Sequence, residues 1–157
     1  IYIGGFSKTL AAGLRVGFIA APAPLVREFT DLKMLLALTT GELSERVVFR
    51  VLSEGHYRRH LHRLNQRLEQ VRQPVISRLD ALGLTLFVQP AGGMYLWVDL
   101  ATDANQVAQA MLEQGYLMAP GSLFLPDQRP STWMRFNSAT SNNPTMLGLL
   151  RQVLHSG

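Results

Sequence analysis

From His56 to Leu82 the chain places apolar residues at Leu61, Leu64, Leu68, Val71, Val75 and Leu82. Steps of three and four lay these side chains along one face of a helix, so the segment predicts a long amphipathic helix. Pro74 stands inside it. A proline there removes a backbone donor and crowds the preceding turn, which predicts a kink. Arg59, Arg63 and Arg67 recur every four residues away from the stripe and are expected to face solvent or a neighbouring domain.

The flanking segments are shorter and glycine-punctuated. Tyr2 to Phe6 and Val16 to Ala21 are apolar runs that read as buried strands joined by a loop of small and polar residues. Pro24 to Leu38 fits an amphipathic helix with proline in its first turn, and Leu43 to Leu52 a second helix stopped near Gly55. After Gly83, strands are expected over Leu84 to Val88 and Met94 to Leu100, joined by Gln89-Pro90-Ala91-Gly92-Gly93. A helix over Asp103 to Gln114 closed by Gly115 follows. Tyr116 to Ala119, a Pro120-Gly121 turn, a strand over Trp133 to Ser138 and a helix over Asn143 to Leu154 complete the pattern.

Composition narrows the function classes. With 157 residues, 47% apolar and 17% charged, the chain has the core content of a globular domain, which excludes intrinsic disorder. No stretch approaches the roughly 18 consecutive apolar residues of a membrane span, so a soluble protein without membrane contact is expected. The absence of cysteine excludes disulfides and thiolate metal sites and fits the reducing cytoplasm, where the protein is expected. His56 and His60 have the spacing of a helical metal pair but no third ligand nearby, so no metal is expected. The net charge of +4 comes from 13 arginines against two lysines, six of the arginines between Arg58 and Arg78. That helix has no turn-helix partner of suitable length, which argues against direct DNA contact by this chain. The start, Ile1-Tyr2-Ile3, has neither an initiator methionine nor a basic leader and reads as a fragment.

Chemistry concentrates in Gly4-Gly5-Phe6-Ser7-Lys8-Thr9-Leu10-Ala11-Ala12-Gly13-Leu14-Arg15-Val16-Gly17-Phe18. An amine just past one strand and a guanidinium just before the next are the two groups that pyridoxal phosphate requires. The aldehyde needs a primary amine, and the phosphate needs a bidentate cation with hydroxyl and backbone donors. Arg135, between Met134 and Phe136, is expected to point to the opposite face of its strand, where a guanidinium can grip a carboxylate. Trp97 and Trp133 read as core or pocket-wall residues.

The lysine string resembles that of fold-type I pyridoxal-phosphate enzymes. It is most similar to class I/II aminotransferases and to the aminotransferase-like domains of GntR/MocR regulators. Three more blocks resemble theirs in the same order: Gln89 to Trp97, Ala119 to Phe124, and Trp133 to Asn137. The resemblance implies an α/β fold, the C-terminal portion of a PLP-dependent transferase, in which a small α+β domain with a mostly antiparallel sheet follows a large-domain remnant. Residues 1–55 would be that remnant of the PLP-binding domain, 56–82 the kinked interdomain helix and 83–157 the small C-terminal domain. It implies that Lys8 joins the cofactor covalently and is catalytic, that Ser7 and Arg15 hold its phosphate, and that Arg135 binds the substrate α-carboxylate.

The implied ligands are pyridoxal 5′-phosphate and an amino acid or 2-oxo acid, and the complete protein is expected to be a homodimer. The run Gly55 to Leu64 is similar to the regulators, whose DNA contacts come from an upstream domain that is not in this chain. The alternative is a standalone aminotransferase. One departure is Gly5, where the family usually has a serine or threonine whose hydroxyl meets the phosphate. Losing such a bond costs about 1.5 to 3 kcal/mol of cofactor affinity. The family's ring-nitrogen aspartate, stacking aromatic and ring-oxygen asparagine lie upstream of the lysine, so the isolated chain is expected to be inactive.

Overall fold

The computed structural model describes residues 1–155. The chain divides into two compact units, Ile1–Arg63 and the residues from Leu64 on, with the border inside a long helix. In the first unit, β1 (Tyr2–Gly5) and β2 (Gly17–Ala20) form a two-stranded antiparallel ribbon in which Ile3 faces Ile19 and Gly5 faces Gly17. Helices α1 (Ala23–Ala37) and α2 (Glu42–Ser53) follow. Proline in the first turn of α1 suits a position where the backbone donor would be unpaired anyway. Glu42 and Glu45 in the first turn of α2 and Arg50 in its last complement the helix dipole.

The expected buried strands are strands, but they are not buried. Ile3 is 73% exposed, and every residue of β2 is exposed. An apolar run signals that a strand wants cover on its faces, whereas the ribbon has no second layer of its own to supply it. Leu35, Leu36 and Leu38 at the end of α1 are likewise exposed. Among the described residues, Phe6 and Val48 are the buried apolar side chains of this unit.

Helix α3 (His56–Asp80) begins in the first unit and runs unbroken past Pro74. Its later turns bury Val75, a member of the expected stripe, together with Ile76 and Leu79 in the second unit's core, while Arg59, Arg63 and Arg67 are exposed. The second unit adds β3 (Thr85–Leu86), β4 (Tyr95–Asp99), α4 (Ala104–Glu113), β5 (Ala119–Pro120), β6 (Trp133–Asn137) and α5 (Pro144–His155). Its sheet has the order β3-β4-β6-β5, antiparallel throughout.

Strand alternation decides which face is covered. Leu96, Val98, Met134 and Phe136 are buried and join Leu79, Met111 and Leu150 in one core. Fully burying a side chain of this kind contributes about 1.5 to 3 kcal/mol. The helices on that core have side-chain caps: the Asp103 carboxylate accepts from the Asn105 amide at 2.8 Å, and Asn143 Oδ1 accepts from the Thr145 amide at 3.0 Å.

Gly121 is the glycine with the tightest surroundings among the described residues. A β-carbon there would lie 2.8 Å from the backbone oxygen of Trp133 and 2.5 Å from Ser131 Oγ, whereas one at Gly92 would meet nothing within 4 Å. Gly121→Ala is therefore expected to destabilise the protein by about 1 to 3 kcal/mol, read as a fall in denaturation midpoint. Gly92→Ala is the neutral control.

Candidate functional site

Ser7, Lys8 and Arg15 lie on one loop between β1 and β2, and Phe6 anchors it. The Phe6 amide donates to Val16 O at 3.0 Å, and its carbonyl accepts from the Leu10 and Ala11 amides at 2.8 and 3.1 Å. Its buried ring meets Phe18 at 5.8 Å and, edge to face, Tyr57 at 5.5 Å. The Tyr57 hydroxyl bonds Thr9 Oγ1 at 2.8 Å. The residue between the two anchors that carries the amine, Lys8, is exposed, and Ser7 is half-buried.

Arg15 follows a short helical turn over Ala12–Leu14 and has a left-handed backbone, φ 51° and ψ 34°. Residues other than glycine adopt that conformation uncommonly, and such sites cluster where side-chain placement matters. Here it re-aims the chain from the turn into β2 and leaves the guanidinium exposed, on the wall of a cavity of about 570 Å³ shared with Phe18, Phe29 and Lys33. Among the described residues, Ser7, Lys8 and Arg15 make no side-chain hydrogen bond or ion pair. One hydroxyl, one amine and one guanidinium on a pinned loop are thus available to a ligand carrying a carbonyl and a phosphate.

Gly5 is not sterically required. A β-carbon there would make ordinary contacts, 3.8 Å to Val16 O and 4.0 Å to Gly17 Cα. A serine fits.

Arg135 belongs to the second unit. Its neighbours Met134 and Phe136 are buried, and Arg135 itself is half-buried on the opposite face, where the alternation places it. The guanidinium carbon lies 4.2 Å from the centre of the Tyr95 ring and 4.5 Å from that of Phe124. Each such contact contributes about 0.5 to 1 kcal/mol where partly solvated, and together they restrain the guanidinium beside the two rings. Among the described residues, no carboxylate pairs with it. It lines a cavity of about 510 Å³ with Tyr95, Leu117, Met118, Asn137 and Thr140. Trp97 and Trp133 stack on this face with centroids 6.2 Å apart, walling the sheet surface beside the arginine.

Sequence reasoning did not identify Tyr57, Thr9 or Phe124 as supports. The available signals were an aromatic in the first turn of the long helix and a phenylalanine beside the Pro120-Gly121 turn, neither specific without coordinates. Tyr57→Phe is expected to speed hydrogen exchange at the Leu10 and Ala11 amides and to cost about 0.5 to 1.5 kcal/mol, with exchange in α4 unchanged.

The family model for aminotransferase class I and II matches residues 1–153. An HTH-type transcriptional regulator of Bacillus subtilis, YdfD, is 30% identical over 132 residues, covering 82% of this chain and 27% of the regulator. Aromatic-amino-acid aminotransferase 1 of Thermococcus litoralis is 27% identical over 142 residues, covering 87% of this chain and 34% of the enzyme. Among solved structures, the α-aminoadipate aminotransferase LysN of Thermus thermophilus, complexed with N-(5′-phosphopyridoxyl)-L-leucine, superposes with a TM-score of 0.86 at 25% identity. That match covers 99% of this chain and 41% of LysN, so the chain spans well under half of these relatives.

Proposed function

Because the chain belongs to the class I and II aminotransferase family, we propose that it is the C-terminal part of a pyridoxal 5′-phosphate-binding domain that serves as the effector or catalytic domain of a GntR/MocR-type transcriptional regulator. The observation that carries the reading is the Phe6-anchored loop, on which Lys8, Ser7 and the left-handed Arg15 have no side-chain partner among the described residues. Family membership and the phosphopyridoxyl group in LysN imply the cofactor. The regulator relatives, YdfD and YisV of Bacillus subtilis and NorG of Staphylococcus aureus, support the regulatory role.

Each residue then has a defined task. When bound, the cofactor supplies an electron sink for negative charge at the amino acid's α-carbon. Lys8 would hold the cofactor through its amine, and its Nζ would be the base for the α-proton. Arg15 and the Ser7 hydroxyl would hold the phosphate. Arg135, held between Tyr95 and Phe124, takes the α-carboxylate.

In the complete protein, residues 1–55 form part of the cofactor domain, 56–82 the connecting helix and 83–157 the small domain. That protein is a cytoplasmic homodimer whose DNA contacts come from a domain outside this sequence. Among the described residues, no helix is long and apolar enough to cross a membrane. The second reading, a standalone aminotransferase acting on an amino acid and a 2-oxo acid, is favoured by relatives such as the Thermococcus litoralis enzyme.

Borohydride reduction of the holo protein followed by intact-mass measurement tests the cofactor assignment. Wild type is expected to carry one covalent cofactor and Lys8→Ala none; a full adduct on Lys8→Ala overturns the role of Lys8. Gly5→Ser adds a hydroxyl where there is room for it and is expected to slow cofactor loss about tenfold, measured by dialysis. Amino-acid-dependent DNA binding without release of a 2-oxo acid supports the regulator, and steady release of a 2-oxo acid the enzyme.

A further inference from the structure

Arg72 lies in α3, on the core side of the helix, and is 3% exposed. Its Nη2 donates to the Glu69 carboxylate one turn earlier, and its Nη1 donates to the Gly93 carbonyl at 3.2 Å. Its Nε makes no hydrogen bond to the described residues. An exposed arginine can pair with a carboxylate one turn away, as Arg46 does with Glu42, so the ion pair alone gives no reason to bury this one. What burial adds is the bond to Gly93.

Gly93 ends the turn between β3 and β4 with φ +84°, a conformation favouring glycine. Among the described residues, 88–93 make no backbone-to-backbone hydrogen bond, and the bond from Arg72 is the polar tether of this turn. Immediately beyond it, the Met94 carbonyl accepts from both the amide and the hydroxyl of fully buried Ser138, at 2.8 and 2.9 Å. The next residue is Tyr95, whose ring covers the Arg135 guanidinium. A chain of contacts thus runs from α3 through Gly93 and Met94 to the ring over Arg135.

We propose that Arg72 is a positioning residue, which ties the Gly92-Gly93 turn to α3 and thereby sets Tyr95 over Arg135 for carboxylate binding. A fork with two separate donors is needed, since one nitrogen is held by Glu69 while the other reaches the turn; a lysine ammonium cannot span both in this geometry. The inference rests on the reading of Arg135 as the carboxylate clamp, and its test separates the two.

The full-length holo protein and its Arg72→Met variant are compared in two measurements, with Arg72→Lys substituted if the methionine variant does not fold. The first is hydrogen exchange at the Ser138 amide, expected to quicken about tenfold while the Val107 amide in α4 is unchanged. The second is spectral titration with L-leucine, the amino acid in the LysN complex, and with 3-methylbutylamine, which has the same side chain and no carboxylate. Affinity for leucine is expected to fall about tenfold and affinity for the amine to stay constant. Unchanged exchange at Ser138, or equal weakening of both ligands, overturns the positioning role. Arg135→Ala is titrated alongside: if it binds leucine as wild type does, the clamp reading fails, while the Ser138 exchange still decides whether Arg72 holds the turn.

Discussion

The pleat of β4 and β6 is the constraint on which the second unit depends. Because successive side chains leave a strand on opposite faces, Leu96, Val98, Met134 and Phe136 must enter the core together, and Tyr95, Trp97, Trp133 and Arg135 must share the other face. A slip of one residue would bury the guanidinium and expose the methionine and phenylalanine beside it. The same apolar contacts that stabilise the sheet therefore place Arg135 among aromatic rings. Stability and the candidate carboxylate site are two outcomes of one register.

Geometry on the open face explains why arginine suits position 135. Tyr95 and Phe124 are 4.2 and 4.5 Å from the guanidinium carbon, so the cation is restrained by two rings, and among the described residues no carboxylate holds it. A lysine would lose the stacking and the two-pronged donation together. The loop around Lys8 is held with different parts: an aromatic anchor at Phe6 and a hydroxyl contact from Tyr57 fix the backbone, while Ser7, Lys8 and Arg15 have no side-chain partner among the described residues.

The sequence was a good guide to elements and a poorer one to layers. Alternation at Met134-Arg135-Phe136 and the stripe ending at Val75 and Leu82 each foretold the correct face, because those periods arise within a single strand or helix. The apolar runs at Tyr2 to Phe6 and Val16 to Ala21 foretold strands correctly and burial incorrectly. Burial needs an opposing layer, and that is a property of other segments that no local pattern encodes.

What the residues alone determined is the chemistry available: an amine at Lys8, guanidinium groups at Arg15 and Arg135, a hydroxyl at Ser7, and the order of glycine-marked blocks that signals the aminotransferase family. Tertiary structure decided which of these groups are held and by what. The left-handed backbone of Arg15, the Tyr57 contact to Thr9, the ring pair around Arg135 and the buried Arg72 tether to Gly93 join residues that share no sequence period. Contacts between distant segments arise only when the chain packs, because each depends on where two elements meet rather than on the periodicity within either one.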